Sequence, residues 1–282
     1  MIEFISVTKK YGSTTAVDNI SLKIADSGIY CLLGRNGAGK TTLMKLASGH
    51  IAATGGKIIV DGKPVSTSRM PESVNFIESG SVQFNMKVSA LIDAAAQLQD
   101  DFDRDFALEM AKRLELKPEK KFKQLSFGMK TMLTTIITLS NNSKVVLLDE
   151  PTLGFDAIMR DQFNSLLLES YTLKPRIIVV STHLIDEIAK VTGRLIIIDN
   201  GGIIMEAGID DIDEKAYTLS GSVEAIEPLL GNLNCIGKTK MGSVMAAHIY
   251  DARIDPPSGV TIDRLSLQDF FISIVGGRSD ER

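Results

Sequence analysis

Short apolar runs of strand length recur along the first two-thirds of the chain, separated by polar and glycine-rich stretches. They occupy residues 29–33, 58–60, 145–148, 177–180 and 195–198. The runs at 145–148 and 177–180 are apolar throughout rather than alternating, which is typical of strands covered on both faces of a parallel sheet. Residues 1–5 read as a further strand at the start of the chain.

Stretches with helical character lie between these runs, at residues 40–48, 126–139 and 157–171. The first follows a glycine-rich turn, and the second begins with a serine, which is a favoured N-cap residue. Strands that alternate with helices predict βαβ units and therefore an α/β fold.

Two parts of the chain depart from this alternation. Residues 88–123 carry two helical patterns and no strand candidate, so they predict a helical insertion. After Asp210, strand patterns at 216–220 and 244–250 alternate with helix patterns at 223–230 and 266–275, which favours a small α+β appendage. We therefore expect one domain over residues 1–210 and a second over 211–282.

Composition and charge exclude several classes of protein. Hydrophobic residues make up 44% of the 282 residues and charged residues 23%, as in an ordinary globular chain. The net charge is −4, whereas domains that bind nucleic-acid backbones carry a basic surplus, so no nucleic-acid partner is expected. Two cysteines are too few for a secreted disulfide scaffold. The sequence also predicts neither a membrane span nor a signal peptide.

The glycine-rich turn at 34–41 matches the phosphate-binding pattern GxxxxGK[ST] at every fixed position, between a strand and a helix. Its residues are Gly34, Arg35, Asn36, Gly37, Ala38, Gly39, Lys40 and Thr41. The glycines let several backbone N–H groups converge on phosphate oxygens at a helix N-terminus. Lys40 adds a positive charge for the outer phosphates, and the Thr41 hydroxyl can bind Mg²⁺.

Two carboxylates end the apolar run at 145–148. Asp149 suits Mg²⁺, directly or through water, beside the phosphate loop. Glu150 is placed to polarise a water that attacks the γ-phosphate. An acidic strand cap is the alternative interpretation, and the phosphate loop upstream favours the catalytic one.

Two further motifs gain meaning from their positions. Ser126 and Gly128 open a helix whose N-terminus can bind an anion, although an ordinary N-cap is the common meaning of such a pattern. His183 follows the apolar run at 177–180, where an imidazole can donate to a γ-phosphate. Taken alone, a histidine at a strand end is more often structural.

In this order along the chain, the motifs resemble those of an ATP-binding cassette (ABC) ATPase, the nucleotide-binding subunit of an ABC transporter. The resemblance covers roughly residues 1–210 and implies a P-loop NTPase fold with a mixed sheet, an antiparallel β part and an α-helical subdomain at about 84–140. It identifies 34–41 as Walker A, 125–129 as the signature, 145–150 as Walker B, Asp156 as the D-loop and His183 as the switch histidine.

The resemblance also implies the chemistry, which is hydrolysis of ATP with Mg²⁺ between two domains arranged head to tail. Ser126 and Gly128 of one subunit would contact the γ-phosphate held by Lys40 of the other, in a homodimer or a heterodimer. The remaining implied roles are ATP contacts from Tyr11 and Thr42, metal contacts from Thr41, Glu78 and Asp149, and catalysis by Glu150 and His183.

Three positions depart from the family pattern. The signature reads LSFGM rather than LSGGQ, so Phe127 and Met129 replace the residues that some members use. The Q-loop position after 74–77 is Glu78, with Gln83 as the other candidate. The D-loop reads LGFD over residues 153–156 and lacks its serine and alanine.

The end of the chain, residues 265–271, is similar to the tail of bacterial drug- and peptide-exporter ATPases of the ABC-2 type. This similarity implies a separately encoded transmembrane permease and a cytoplasmic location, peripheral on the inner face of the cell membrane. The exported substrate would be a drug, peptide or lipid. Phe84, Met86 and Val88 are candidates to receive a helix of the permease.

Other functions compete with transport. ABC ATPases of translation usually join two cassettes, and those of chromosome maintenance insert a long coiled coil, whereas this chain has one phosphate loop and no sustained heptads. A small-molecule kinase is compatible with the phosphate loop alone, but the signature and His183 disfavour it. Whether a transport complex would export a housekeeping substrate or resist an antibiotic stays open.

Overall fold

The structure is a computed structural model that describes residues 1–183 and 185–276. The chain divides into two compact units, Met1–Glu206 and Ala207–Arg282, and each is described by itself. Among the described residues, no helix combines the length and the apolar character needed to cross a bilayer.

The first unit contains two sheets. Its strands are β1 (Ile2–Tyr11), β2 (Thr14–Ile24), β3 (Gly28–Leu33), β4 (Gly55–Val60), β5 (Lys63–Pro64), β6 (Val74–Glu78), β7 (Val145–Asp149), β8 (Ile177–Thr182), β9 (Arg194–Asp199) and β10 (Gly202–Gly208). Strands β2-β1-β4-β5 form an antiparallel sheet, and β10-β9-β3-β8-β7-β6 form the larger sheet. In the larger sheet β9, β3, β8, β7 and β6 are parallel, as the apolar runs predict.

The helices of the first unit cover the larger sheet or form the insertion. They are α1 (Lys40–Ala47), α2 (Val88–Leu98), α3 (Arg104–Arg113), α4 (Phe127–Leu139), α5 (Ala157–Leu173) and α6 (Ile185–Ile188). One hydrophobic core joins α1 and the antiparallel sheet to one face of β3, β7, β8 and β9. Helices α4 and α5 pack against each other, and α4 also contacts β6 and β7.

Strands β1 and β2 are longer than their sequence pattern indicates. Residues 1–5 predict only the start of β1, and no predicted strand covers β2. Both strands contain a residue with positive φ, Ser6 at 48° and Asn19 at 47°, and the pairing register shifts there. These bulges interrupt the period of two that identifies a half-buried strand, which explains why the pattern is weak.

The insertion is helical, as predicted, with a 3₁₀ turn at Phe122–Gln124. The prediction that Val88 meets the permease is wrong, because Val88 is 1% exposed and belongs to the core. Phe84 is half-buried and packs edge-on against Phe122, with 5.3 Å between the ring centroids. Met86 remains exposed.

The second unit is a small α+β structure, as predicted. It contains β11 (Ala216–Ser222), β12 (Cys235–Met241), β13 (Val244–Tyr250), β14 (Val260–Arg264), α7 (Ile209–Lys215), α8 (Val223–Ile226) and α9 (Leu267–Gly276). The strands form an antiparallel sheet in the order β12-β13-β11-β14. The helix predicted at 223–230 is shorter as an α-helix, since it continues as a 3₁₀ turn at Glu227–Leu229, where Pro228 lacks a backbone donor.

Candidate functional site

The carboxyl ends of four parallel strands meet at one edge of the larger sheet. Across the sheet, Glu78 pairs with Asp149, Asp149 with Ser181, and Leu33 with Thr182. The phosphate loop follows Leu33 directly, and His183 follows Thr182. The parallel register therefore gathers at one edge residues that lie far apart in the sequence. Ligands of open α/β sheets bind at this edge.

The phosphate loop runs from β3 into α1 and has the conformation that its sequence predicts. Gly37 and Gly39 have φ of 83° and 109°, in the region that favours glycine, and Gly39 is the N-cap of α1. A β-carbon built on Gly34 would lie 2.5 Å from the Ile198 carbonyl oxygen, so this position also requires glycine. Arg35 and Asn36 are exposed at the tip of the loop.

Lys40 is 7% exposed, and its ammonium group lies within the loop that precedes it. Its Nζ donates to the Gly34 carbonyl oxygen at 2.8 Å and lies 3.5 Å from Glu150 Oε1. A buried ammonium needs such partners, because an unpaired charge in this environment is costly. The flanking Ala38 is buried, and Thr42 is half-buried on the first turn of α1.

Asp149 and Thr41 form the second contact of the site. The Thr41 hydroxyl donates to Asp149 Oδ2 at 2.6 Å, and the Ser181 hydroxyl donates to Asp149 Oδ1. Asp149 is 3% exposed, so both carboxylate oxygens are buried and hydrogen-bonded. The Walker A threonine and the Walker B aspartate are thus in direct contact.

Glu150 occupies an unusual backbone conformation, with a φ of 49°. Left-handed non-glycine residues cost about 1 to 3 kcal/mol and cluster at functional sites. Ser181 and Ser79 hold this conformation, because Glu150 N donates to Ser181 Oγ at 3.0 Å and the Ser79 hydroxyl donates to Glu150 O at 2.7 Å. The carboxylate lies between two basic groups, with Oε2 at 2.8 Å from His183 Nδ1.

Glu78 lies at the end of β6 beside Asp149, and it is ion-paired. Lys45 Nζ lies 3.0 Å from its Oε1 and 2.9 Å from its Oε2. Lys45 is one turn after Thr41 on α1, so the pair spans from the phosphate-loop helix to the edge of β6. Gln83, the other Q-loop candidate, is an exposed residue beyond the strand.

Tyr11 ends β1, and its ring is 48% exposed. Lys9 Nζ lies 5.0 Å from the ring centroid. Tyr11 pairs with Thr14 across the β1–β2 hairpin, and Ala16 on the same hairpin contacts the phosphate loop at Gly39, where a β-carbon would collide with the Ala16 carbonyl oxygen. The hairpin thus presents an exposed aromatic ring at the end of β1 and borders the phosphate loop through Ala16 of β2.

Ser126 and Gly128 lie at the start of α4. Ser126 Oγ accepts a hydrogen bond from Met129 N at 3.2 Å as the N-cap of the helix. Gly128 is buried, and a β-carbon there would lie 3.0 Å from Met159 Cε. Within residues 1–183 and 185–276, no hydrogen bond joins Ser126 or Gly128 to the group around Lys40.

Three residues of the site are missing from the sequence-based prediction, namely Lys45, Ser79 and Ser181. Lys45 has a recognisable signal, because it lies four residues after Thr41 on the same helix face. Ser181 comes directly after the apolar run at 177–180, at the strand end where polar residues gather. Ser79 has no local signal, since its partner is a backbone carbonyl oxygen distant in sequence.

The oxygen groups at the sheet edge fit Mg²⁺. This ion is usually bound by one or two carboxylates together with substrate phosphates, rather than by a cage of protein ligands. The Thr41 hydroxyl and the Asp149 carboxylate supply such a pair, 2.6 Å apart. Within residues 1–183 and 185–276, no three His, Cys, Asp or Glu side chains cluster as a protein-only metal site would require.

Cys31 lies on β3 beneath the site and is 2% exposed. Burial raises the pKa of its thiol well above the ordinary value, and the nearby Glu150 charge raises it further. The thiol therefore stays protonated and acts as a small packing residue.

Comparisons with known proteins agree with one another. The sequence profile described as ABC transporter matches residues 17–153. The ABC transporter ATP-binding protein YtrB of Bacillus subtilis is 29% identical over 219 residues, covering 76% of this chain and 74% of that protein. The Nod factor export ATP-binding protein I of Paraburkholderia xenovorans is 30% identical over 300 residues, covering 98% of this chain and 97% of that protein.

A solved structure shares the fold of about three quarters of the chain. The dimeric ATP-binding cassette MJ0796, in a post-hydrolysis state bound to ADP and Pi, superposes with a TM-score of 0.64 at 22% identity. The superposition covers 74% of this chain and 99% of that one.

Proposed function

The chain belongs to the ABC transporter family as one of its ATP-binding, ATP-hydrolysing subunits. We propose the following roles for its residues in binding and hydrolysing ATP to drive export. Subunits of this family dimerise and work with membrane permease components. The observation that carries the proposal is the convergence at one sheet edge of Lys40, Thr41, Asp149, Glu150 and His183.

The phosphate loop binds the nucleotide. Backbone N–H groups of residues 34–41 surround the β-phosphate, and Lys40 neutralises charge on the β- and γ-phosphates. Thr41 and Asp149 hold Mg²⁺, which supplies charge neutralisation between the phosphates when bound. Tyr11 stacks on the adenine, and Thr42 adds a contact at the first turn of α1. Glu78 is a further candidate for the metal, although its carboxylate is paired with Lys45.

Glu150 orients and polarises the attacking water. Its carboxylate contacts Lys40 and His183, two groups that a γ-phosphate would also attract. A bound γ-phosphate therefore competes for these two groups and leaves the Glu150 carboxylate to accept a hydrogen bond from water. His183 donates to the γ-phosphate as charge develops on it in the transition state.

A second copy of the chain completes each site. Ser126 and Gly128 lie at the N-terminus of α4, where the helix dipole and free N–H groups attract an anion. The chain carries both the residues of the phosphate-loop side and those of the signature side, so two copies arranged head to tail form two complete sites. Two copies of this chain are sufficient to supply every residue of both sites, so the homodimer is the arrangement that we propose to test.

Export is the direction of transport that the relatives support. The Nod factor export protein aligns with nearly the whole chain, so the similarity extends beyond the ATP-binding part. The substrate class is a drug, peptide or lipid, and the permease is a separate membrane protein. On this proposal the chain lies at the cytoplasmic face of the cell membrane and is held there by the permease.

The test of ATP hydrolysis is phosphate release by the purified chain with MgATP. Lys40→Ala should lower the rate by at least about a hundredfold, because charge stabilisation of the transferring phosphate is lost. Lys144→Ala is the matched control, since Lys144 is an exposed lysine paired with Asp61, and it should change the rate less than about twofold.

A Lys40→Ala chain with the wild-type rate would contradict the assignment of the phosphate loop. Phosphate release without any added acceptor also separates an ATPase from a small-molecule kinase. The permease is tested by purifying the tagged chain from membranes, where a protein with several spans should accompany it. Its consistent absence would argue against the transporter assembly.

A further inference from the structure

Phe127 is the first residue of α4, directly after Ser126, at a position where the family pattern has glycine. Its ring lies between two glycines from separate segments of the first unit. A β-carbon built on Gly154 would lie 3.0 Å from Phe127 Cδ1, and one built on Gly80 would lie 3.2 Å from Cε2. One side of the ring therefore packs over the two glycines, while the side chain as a whole stays 43% exposed.

Both glycine segments are bonded to the backbone of the Walker B end. Ser79, next to Gly80, donates through its hydroxyl to Glu150 O at 2.7 Å and through its N–H to Asp149 O at 3.2 Å. Leu153, next to Gly154, donates through its N–H to Glu150 O at 3.2 Å. Phe127 thus contacts the two segments that converge on the Glu150 carbonyl.

The residue after Phe127 extends this contact. A β-carbon on Gly128 would lie 3.0 Å from Met159 Cε and 3.3 Å from Phe155 Cδ1. Phe155 is buried and packs edge-on against Phe163 of α5, with 6.0 Å between the centroids. Close-packed contacts of this kind transmit displacement rather than absorb it. A movement of the start of α4 must therefore move the segment that follows Glu150.

We propose that Phe127 is a positioning residue that couples the two ATP sites of the dimer. This inference rests on the proposed head-to-tail arrangement, in which Ser126 binds the γ-phosphate of the partner's nucleotide. When that phosphate draws the start of α4 into place, the Phe127 ring sets the segments at Gly80 and Gly154. Those segments fix the backbone of Glu150, which acts on the nucleotide bound to its own subunit.

The test compares two substitutions of Phe127 in the full chain. Phe127→Leu keeps an apolar side chain but removes the ring, whereas Phe127→Tyr keeps the ring. For Phe127→Leu we expect the Hill coefficient of ATP hydrolysis to fall from about 2 to about 1, because two sites set the upper limit. We expect kcat to fall about tenfold, since displacement of a catalytic group by about 1 Å costs up to about a hundredfold.

The other measurements separate coupling from damage to the fold. The Kd for MgADP, measured by calorimetry, should change less than about twofold in Phe127→Leu, because ADP has no γ-phosphate to engage Ser126. Phe127→Tyr should keep the wild-type Hill coefficient. Leu98→Ala is the control for loss of an exposed apolar side chain and should leave all three quantities unchanged.

A wild-type coefficient near 2 that persists in Phe127→Leu would overturn the coupling and leave the proposed dimer intact. A wild-type coefficient of 1 would also overturn it, and the dimer would then be judged separately by light scattering on Glu150→Gln. If Phe127→Leu fails to fold, Phe127→Met repeats the comparison with a flexible side chain that fills similar volume.

Discussion

The two ends of strand β7 carry polar networks of opposite character. At the amino end, the Arg176 guanidinium donates to the carbonyl oxygens of Leu139 and Asn141 and to the Ser170 hydroxyl. At the carboxyl end, the Glu150 carboxylate lies between Lys40 and His183. The first network joins a cation to uncharged oxygens inside the protein. In the second, Lys40 and His183 contact a carboxylate, and a bound phosphate can replace that carboxylate as their partner.

The difference lies in the partners rather than in burial alone. Arg176 is 6% exposed and Lys40 is 7% exposed, so both cations are equally removed from solvent. Burial lowers the pKa of Arg176 to about 10, which still leaves it charged at neutral pH. The last carbonyl groups of α4 have no hydrogen-bond donor within the helix, and the Arg176 guanidinium donates to the one at Leu139. Lys40 contacts a carboxylate that is partly open to water, and this contact can be exchanged for a ligand.

Replacement of Arg176 should break the amino-end network and nothing else. Arg176→Met leaves the buried Leu139 carbonyl oxygen, the half-buried Asn141 carbonyl oxygen and Ser170 without their charged donor, which should lower the free energy of unfolding by about 3 kcal/mol. The measurement is urea denaturation followed by circular dichroism. The kcat per folded molecule should stay within about twofold of wild type, because no substrate-binding group is touched.

Arg194→Met is the matched control. Arg194 is a half-exposed arginine paired with Asp26 and Glu206 at 3.7 and 3.8 Å, so its loss should cost less than about 1 kcal/mol. Equal destabilisation by the two substitutions would show that the internal acceptors of Arg176 contribute nothing beyond an exposed ion pair.

Replacement of Tyr11 should have the opposite signature and a smaller free-energy effect. Stacking of a base on an aromatic ring contributes about 1 to 3 kcal/mol, so Tyr11→Ala should raise the KM for ATP about tenfold with little change in kcat. Stability should hardly change, because the ring is half-exposed at a strand end. Steady-state kinetics provide the measurement. Tyr11→Phe should be nearly silent, and a change confined to kcat would contradict the stacking role.

The site at the carboxyl end of β7 is largely predictable, because each of its two main motifs is a continuous stretch of sequence. The spacing of Gly34, Gly39 and Lys40 predicts a loop that the positive φ of Gly39 and the crowding at Gly34 require. Asp149 and Glu150 follow an unbroken apolar run, which predicts a strand end. Parallel strand order then gathers these ends, so the sequence and the structure agree there for a physical reason.

The remaining parts depend on contacts that no local pattern encodes. The ion pair of Lys45 with Glu78 and the hydrogen bonds of Ser181 join residues from different strands and helices. The bulges at Ser6 and Asn19 make β1 and β2 hard to predict, because they break the alternation of period two that identifies a strand. The prediction for Val88 fails because the sequence pattern at the start of a helix does not distinguish a buried apolar residue from an exposed one.

The association state of Glu150→Gln, measured by light scattering with and without MgATP, tests both the head-to-tail dimer and the role of Glu150. Glutamine keeps the shape of the side chain but removes its charge, so ATP should bind without being hydrolysed, with a rate lower by about 10²- to 10⁴-fold. We expect a monomer without nucleotide, a dimer with MgATP, and loss of that dimer when Ser126→Arg is added. A variant that stays monomeric with MgATP, or hydrolyses ATP at the wild-type rate, would contradict these expectations.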